Sequence, residues 1–304
     1  MQSRSPADRG HPARPGRTGG SLRQILITGA TGTLGRAFEK LCAERGLACR
    51  LTRRDELDIA DSDSVSAALD RHEPWLVVNT AGYVRVDDAE QDRERCLREN
   101  ALGPATLARA CARHEVSLLS FSSDLVFDGR KQAPYDEHDT PSPLCVYGRS
   151  KLEAEDRVFD AHPESLVVRT SAFFGPWDEH NFVTLTLRAL AEGREVRAAD
   201  DTIVSPTYVP DLVHACLDLA IAGEHGLWHL ANQGTTTWAE LARSAARLAG
   251  HAPSRITPVP SSELAWRAPR PPFSALGSAR GRLLPSLDDA LLRYHDARTQ
   301  EQRQ

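Results

Sequence analysis

The chain has 304 residues, 40% apolar and 26% charged, with a formal net charge of −5. That length holds one large domain or two unequal ones with a full core, and the acidic balance excludes a general nucleic-acid binder, which needs a basic face. No run approaches the roughly 18–20 apolar residues of a membrane span. The six cysteines, Cys42, Cys49, Cys96, Cys111, Cys145 and Cys216, are scattered with no CxxC pair. This reads as reduced, buried thiols of a cytoplasmic protein, with no metal centre.

In chain order, residues 1–23 carry five arginines among Pro and Gly and lack an apolar signal region. They read as a disordered tail or interdomain linker. An Arg-rich targeting peptide is the alternative, weakened by Asp8 and the prolines. The apolar run 25–28 is followed by a helical pattern over 34–45, with Phe38, Leu41 and Cys42 on one face and Gly46 as a stop. Further buried strands fall at 48–51, 75–79, 117–123 and 165–170, separated by helices near 63–71, around Leu102–Cys111 and at 146–161. Buried strands alternating with helices specify a doubly wound, Rossmann-type α/β fold with a parallel sheet. After residue 171 the regularity weakens. Helices are expected at 181–192 and 209–222 and a strand-like run at 226–231. A helix then opens with Thr237 as N-cap and Glu240 completing a capping box. The Pro-rich stretches 253–260 and 268–272 read as ordered loops around a smaller C-terminal α/β substrate-binding domain. The expected division is about 24–171 plus 208–231 for the dinucleotide-binding domain, about 172–207 plus 232–297 for the second, and a tail over 298–304.

Gly29, Gly32 and Gly35 lie between the first strand and the first helix. Glycine serves there where φ is positive and where the backbone approaches a pyrophosphate, which the helix N-terminus then receives. Thr31, Thr33 and Leu34 complete this cofactor loop. At the end of the second strand, Thr52, Arg53 and Arg54, with Arg36 nearby, favour the 2′-phosphate of NADPH. Asp55 points towards NADH, which stays admissible.

Tyr147 and Lys151 lie four residues apart and share a helix face. With five tyrosines and three lysines in the chain, a chance pair at this spacing is expected about 0.05 times. The ammonium is expected to lower the phenol pKa towards the working range of a proton donor. Ser123 closes a strand at the carboxyl edge of the sheet and is the candidate to polarise a carbonyl; Ser122 reads as a packing or hydrogen-bonding serine.

Taken together, TGATGTLG (28–35), VVNTAGYVRVDDAE (77–90), FSSDLVFDG (121–129), YDEHDTPSPLCVYGRSKLEAE (135–155), VVRTSAFFG (167–175), SPTYVPDL (205–212), GLWHLANQGTTTWAEL (226–241) and RPPFSALGS (270–278) resemble the extended short-chain dehydrogenase/reductases, and among them the dTDP-4-dehydrorhamnose reductase family. The resemblance implies hydride delivery from NADPH or NADH to the C4 ketone of a nucleotide-linked 4-keto-6-deoxysugar. Tyr147 would protonate the alkoxide, Lys151 would hold the nicotinamide ribose and tune Tyr147, and Ser123 would bond the carbonyl oxygen. Asp58 and Ile59 match the adenine contact, and Ala81, Gly82 and Tyr83 the segment lining the cofactor. Val86, Asp124, Asn181, Ser205, Thr207 and Arg270 fall where such enzymes build the sugar-nucleotide site. Leu125 replaces the glutamate of related 4,6-dehydratases, which disfavours dehydration. The reductases usually carry a tyrosine at 125 and a tryptophan at 172, here Leu125 and Ala172.

The alternatives are an NAD-dependent sugar-nucleotide epimerase and a non-catalytic dinucleotide-binding regulatory subunit, since the same family includes one. The resemblance also admits a homodimer, and the tail suits a reductase domain that follows another carbohydrate-related domain. Among other residues, Asp87, Asp88 and Glu90 read as a solvated helix start, with a metal site as the alternative. Trp177, Asp178, Glu179 and His180 read as a pocket rim or a lid loop, Trp228 and Trp238 as core, and Asn100 as an active-site support or a local cap.

Overall fold

A computed structural model describes residues 24–301; the expected N-terminal tail or linker lies outside them. Strands β1 (Ile25–Thr28), β2 (Cys49–Thr52), β3 (Leu76–Asn79), β4 (Ser117–Ser123) and β5 (Leu166–Thr170) alternate with helices α1 (Thr33–Glu44), α2 (Ser62–His72), α3 (Arg93–Leu97), α4 (Gly103–Arg113) and α5 (Val146–Ala161). Then come β6 (Phe173–Phe174), α6 (Phe182–Ala191), β7 (Val196–Ala199), β8 (Ile203–Val204), β9 (Thr207–Tyr208), α7 (Val209–Ala222), β10 (Gly226–His229), β11 (Thr236–Thr237), α8 (Trp238–Leu248), β12 (Ile256–Val259) and α9 (Leu287–Glu301).

Six strands form one parallel sheet in the order β2-β1-β3-β4-β5-β10. This is the Rossmann-type sheet that the alternation implied. β1, β3 and β5 are buried throughout, as strands covered by helices on both faces must be. One face packs on α1 and α7 through Phe38, Leu41, Leu212 and Cys216. The other packs on α2, α4 and α5 through Val65, Leu69, Leu107 and Val158. The strand order reverses between β1 and β3, and ligands of open α/β sheets bind at the carboxyl edge of such a switch point. Thr28, Thr52 and Asn79 stand opposite one another there. Ser123 stands opposite Thr170 on the same edge.

A second layer holds α6, α8 and α9 around Phe174, Leu187, Leu241 and Tyr294, with β7 and β12 paired beside it. Thr237 caps α8 by accepting the Glu240 N–H. The Glu240 carboxylate turns instead to Arg243 and Arg247, so half of the expected box forms. Four local readings are corrected. The helix expected around Leu102–Cys111 begins at Gly103, and Leu102, 44% exposed, closes a π-helical turn at Arg98–Leu102 instead. The stretch 253–260 contains β12, paired with β7, rather than loop alone. Trp238 is half-buried beside Phe182 rather than in the core. Helix α9 runs through Glu301, where a tail was expected.

A buried ion pair joins β5 to α5. Arg169 on β5 and Glu155 on α5 are 2% and 5% exposed and meet side by side, Nε to Oε1 at 2.8 Å and Nη2 to Oε2 at 2.5 Å. Ser122 donates to the same carboxylate. Arg169 Nη1 lies 3.3 Å from His229 Nε2; since a guanidinium only donates, the ring proton sits on Nδ1, facing the Tyr135 and Gly277 carbonyls. Removing one partner of a buried pair strands the other charge. Arg169→Met is therefore expected to cost about 3–5 kcal/mol of stability, read from the urea unfolding midpoint; a loss under about 1 kcal/mol would show that the pair is not a structural tie.

Candidate active site

The glycine loop begins where β1 ends. Gly29 has φ +79°, and a Cβ there would lie 2.8 Å from the Ala81 nitrogen. At Gly35 a Cβ would sit 2.4 Å from the Gly29 carbonyl oxygen, so α1 can approach the loop this closely only through glycine. Thr80 Oγ1 donates to the Thr28 carbonyl at 2.5 Å and ties the β3 end to the β1 end. Gly32 caps α1 with no side-chain hydrogen bond, and the first turn contains no acid. Its first N–H groups and positive dipole end are free for an anion. Thr31 and Gly32 are exposed, Thr33 is half-exposed, and Leu34 is core. This cradle fits the pyrophosphate of a dinucleotide.

At the second-strand end, Thr52 is buried and donates to the Ile27 carbonyl, which removes it from ribose binding. Arg54 is held by Glu99 and Asp58. Arg53 and Arg36 are exposed, and among the described residues neither has an ion pair within 4 Å. The Asp58 carboxylate pairs with Arg98 at 2.7 Å and accepts the Ala60 N–H. Ile59 packs inward, against Gly103. Ala81 and Gly82 stay half-exposed beside the cradle. The Tyr83 ring instead turns inward against Cys96, Val146 and Tyr147, so this side chain does not line a cofactor as the resemblance implied.

Tyr147 and Lys151 occupy the first turns of α5. Gly148 lies between them, and a Cβ there would meet the Leu125 carbonyl oxygen at 2.1 Å. The helix therefore rests directly on the short 3-10 turn Asp124–Val126 that follows β4. The Ser123 hydroxyl lines the same cavity as Tyr147, accepts the Leu125 N–H at 3.1 Å and donates to Asp124 at 3.0 Å. Lys151 Nζ donates to the Phe121 carbonyl at 3.3 Å and sits 5.7 Å from the Tyr147 ring centre. Asn100, fully buried on the π-helical turn, accepts the Tyr83 N–H at 2.7 Å and donates to Ser150 Oγ at 3.0 Å. Ser150 in turn donates to the Tyr147 carbonyl at 2.7 Å, which makes Asn100 a positioning residue for α5.

The phenol does not behave as the spacing suggested. Burial, and then the Asp124 carboxylate, push the Tyr147 pKa up rather than down. Burial lowers Lys151 to about 8. A proton is held firmly on the phenol, next to an ammonium that gives its own up more readily than an exposed lysine does.

Ser123, Asp124 and Tyr147 line a cavity of about 550 Å3. Val86, Leu125, Ala172 and Arg270 line it too, opposite Phe182, Thr202, Trp238 and Trp266. Three expected substrate residues are not brought to it. The Asn181 side chain caps α6 through Thr184 and donates to the Asp178 carbonyl. Ser205 accepts the Leu276 N–H, and Thr207 accepts from Thr170. Arg270 reaches the wall but is held by Asp87 at 3.0 Å and lies over Trp266. Asp87 also accepts the N–H groups of Arg267 and Ala268, and Glu90 accepts that of Val146. Neither acid is thus a freely solvated helix start. The segment 177–180 is not on the wall; Trp177 packs against the core and under Lys40. Sequence reasoning missed Gly148 and Thr202. The first could have been suspected from a glycine inside a helix pattern, where it is otherwise unfavourable; nothing in the sequence marks the second.

Residues 23–285 match the RmlD substrate binding domain family. The chain is 36% identical over 280 residues to a dTDP-4-dehydrorhamnose reductase of Mycolicibacterium smegmatis, covering 91% of this chain and 85% of that one. It is 38% identical over 256 residues to a dTDP-4-keto-6-deoxy-D-glucose reductase of Streptomyces niveus, covering 83% and 88%. The structure of a dTDP-4-dehydrorhamnose reductase of Bacillus anthracis in complex with NADP superposes with TM-score 0.86 at 30% identity, covering 90% and 98%. With the parallel sheet, the glycine cradle and the Ser123–Tyr147 wall in place, the chain belongs to the RmlD substrate binding domain family.

Proposed function

We propose that this chain is an NADPH-dependent reductase of the C4 ketone of a nucleotide-linked 4-keto-6-deoxysugar. The observation that carries the reading is that the Tyr147 phenol and Ser123 line one cavity wall at the carboxyl edge of the sheet. A reduction needs a group that arrives with a proton, and burial keeps one on this phenol. The names of the relatives and the NADP complex support the substrate class and the cofactor.

NADPH, when bound, supplies the hydride. Gly29, Gly32 and Gly35, with Thr31 and Thr33, would hold its pyrophosphate at the α1 N-terminus. Arg53 and Arg36 would meet the 2′-phosphate, and Asp58, Ile59, Ala81 and Gly82 would flank the adenosine and nicotinamide sides. Tyr147 would donate to the C4 oxygen, and Ser123 would join it by turning its hydroxyl proton from Asp124 to that oxygen. As charge develops there, the proton passes from the Tyr147 hydroxyl to that oxygen, and the nearby Lys151 ammonium stabilises the phenolate left behind. Asp124, Val86 and Arg270 would face the substrate. A cytoplasmic setting, supported by the scattered free cysteines, and a homodimer, supported by the resemblance alone, go with this reading.

Purified protein mixed with NADPH and dTDP-4-keto-6-deoxyglucose, with and without a 3,5-epimerase, is expected to lose absorbance at 340 nm. Tyr147→Phe is expected to lower that rate by roughly 10²–10⁴-fold. Cofactor binding without consumption on either sugar would defeat the reductase reading. The Lys151 charge gives a second test. Its proton is held less tightly in the folded than in the unfolded chain, so it lowers stability below about pH 8, and that cost fades as pH rises towards the ordinary lysine range. Because the ammonium is the form that helps the phenolate, kcat/KM is expected to fall as pH rises through about 8. A profile flat to pH 10 would show that the lysine charge is not used.

A further inference from the structure

The short 3-10 turn Asp88–Glu90, between β3 and α3, is held on two sides by the acids at its ends. On one side, Glu90 Oε1 accepts the N–H of Val146, the first residue of α5, at 2.8 Å. On the other, Asp87 Oδ1 accepts the N–H groups of Arg267 and Ala268, each at 2.9 Å, and its Oδ2 accepts from Arg270 Nη2 at 3.0 Å. Gln91 accepts from the Arg267 guanidinium at 3.1 Å. Between the two acids, Ala89 is fully buried in a cluster with Tyr83, Cys96 and Val146, against which Tyr147 packs. The turn is thus wedged between the helix that carries the proton donor and a strap, residues 264–270, that brings Leu264, Trp266 and Arg270 to the cavity wall. Neither Asp87 nor Glu90 lines the cavity itself.

Both neighbours depend on outside partners. The first turn of α5 contains no acid, and its N-cap is Cys145, whose thiol accepts the Gly148 N–H at 3.3 Å. A thiol is a weak acceptor, and the free N–H groups and positive dipole end of a helix start favour an anion. Glu90 supplies the carboxylate that α5 lacks, on the residue just before Tyr147. The strap forms neither helix nor strand, so bonds such as those to Asp87 set its path. From this geometry we propose that Asp87 and Glu90 are positioning residues for two different parts of the reaction. Glu90 sets the height of the Tyr147 phenol against the substrate carbonyl, and Asp87 sets the strap whose Arg270 is turned to the substrate. The inference rests on the reductase reading above and assigns the two acids opposite kinetic effects. A displaced proton donor slows the chemical step, whereas a released strap weakens binding before it.

The test measures kcat and KM separately, with NADPH and dTDP-4-keto-6-deoxyglucose, with and without a 3,5-epimerase, and titrates each variant with dTDP by calorimetry. Glu90→Ala is expected to lower kcat about tenfold to a hundredfold and to leave KM within about threefold, because a small misplacement of a reacting group costs that much. Glu90→Gln keeps an acceptor oxygen and is expected to hold kcat within about threefold. Asp87→Ala is expected to raise KM and to weaken dTDP binding, each about tenfold, with kcat within about threefold. Asp87→Asn keeps one oxygen for the two N–H groups and is expected to bring KM back to within about threefold. A kcat unchanged in Glu90→Ala, or lost equally in Glu90→Gln, overturns the role of Glu90. A KM and a dTDP affinity unchanged in Asp87→Ala overturn the role of Asp87, and so does a loss in Asp87→Asn as large as that in Asp87→Ala. If the unaltered protein consumes neither sugar, the reductase reading fails and the role of Glu90 fails with it, while the dTDP titration decides the role of Asp87 separately.

Discussion

The approach of α5 to the turn after β4 sets the geometry of the whole site. Gly148 leaves no room for even a methyl group above the Leu125 carbonyl. The helix carrying Tyr147 and Lys151 is thereby seated on the segment carrying Ser123, Asp124 and Leu125. A helix held one side chain further away would take the phenol from the serine and the ammonium from the Phe121 carbonyl together. The same contact brings Leu125 to the cavity wall, so seating of the reactive group and shaping of the pocket have one cause.

Two buried polar ties hold that seat. Asn100 joins the backbone of Tyr83 to Ser150 and so to the first turn of α5. Two turns further on, the Glu155–Arg169 pair joins α5 to β5, with Ser122 of β4 on the same carboxylate. Ion pairs of this kind add little net stability compared with a well-packed apolar core, but they specify which elements lie side by side. Here they fix the register between the helix bearing the proton donor and the strand ends that form the cavity floor. The protonation states follow from this packing. Dry surroundings and the Asp124 carboxylate keep the Tyr147 proton on, while the same dryness loosens that of Lys151.

The sheet, its flanking helices and the glycine cradle were legible in the sequence because each has a periodic or positional signal. Apolar runs alternate with amphipathic stretches, and Gly29 and Gly35 sit where backbone must meet backbone. The Tyr147–Lys151 pair was legible from spacing, since helical geometry turns four residues into one face. The phenol pKa was not, because spacing carries the attraction of the ammonium but not the larger effect of burial. Asn181, Ser205 and Thr207 were expected to face the substrate, yet their side chains are used by neighbours far apart in the sequence. Trp238 was expected in the core by its size, and it lies on the cavity wall because α8 begins there.

The central claim is that this chain passes a hydride from NADPH to the C4 carbon of a nucleotide-linked ketosugar while Tyr147 supplies the proton. NADPH deuterated at both C4 positions, incubated with the protein and a dTDP-4-keto-6-deoxysugar, tests it directly. The account predicts product with one deuterium on the sugar's C4, seen as a one-unit mass increase and as loss of the C4 proton signal in the NMR spectrum. Oxidation of the cofactor with no deuterium in the sugar, or a sugar altered at another carbon, would contradict it.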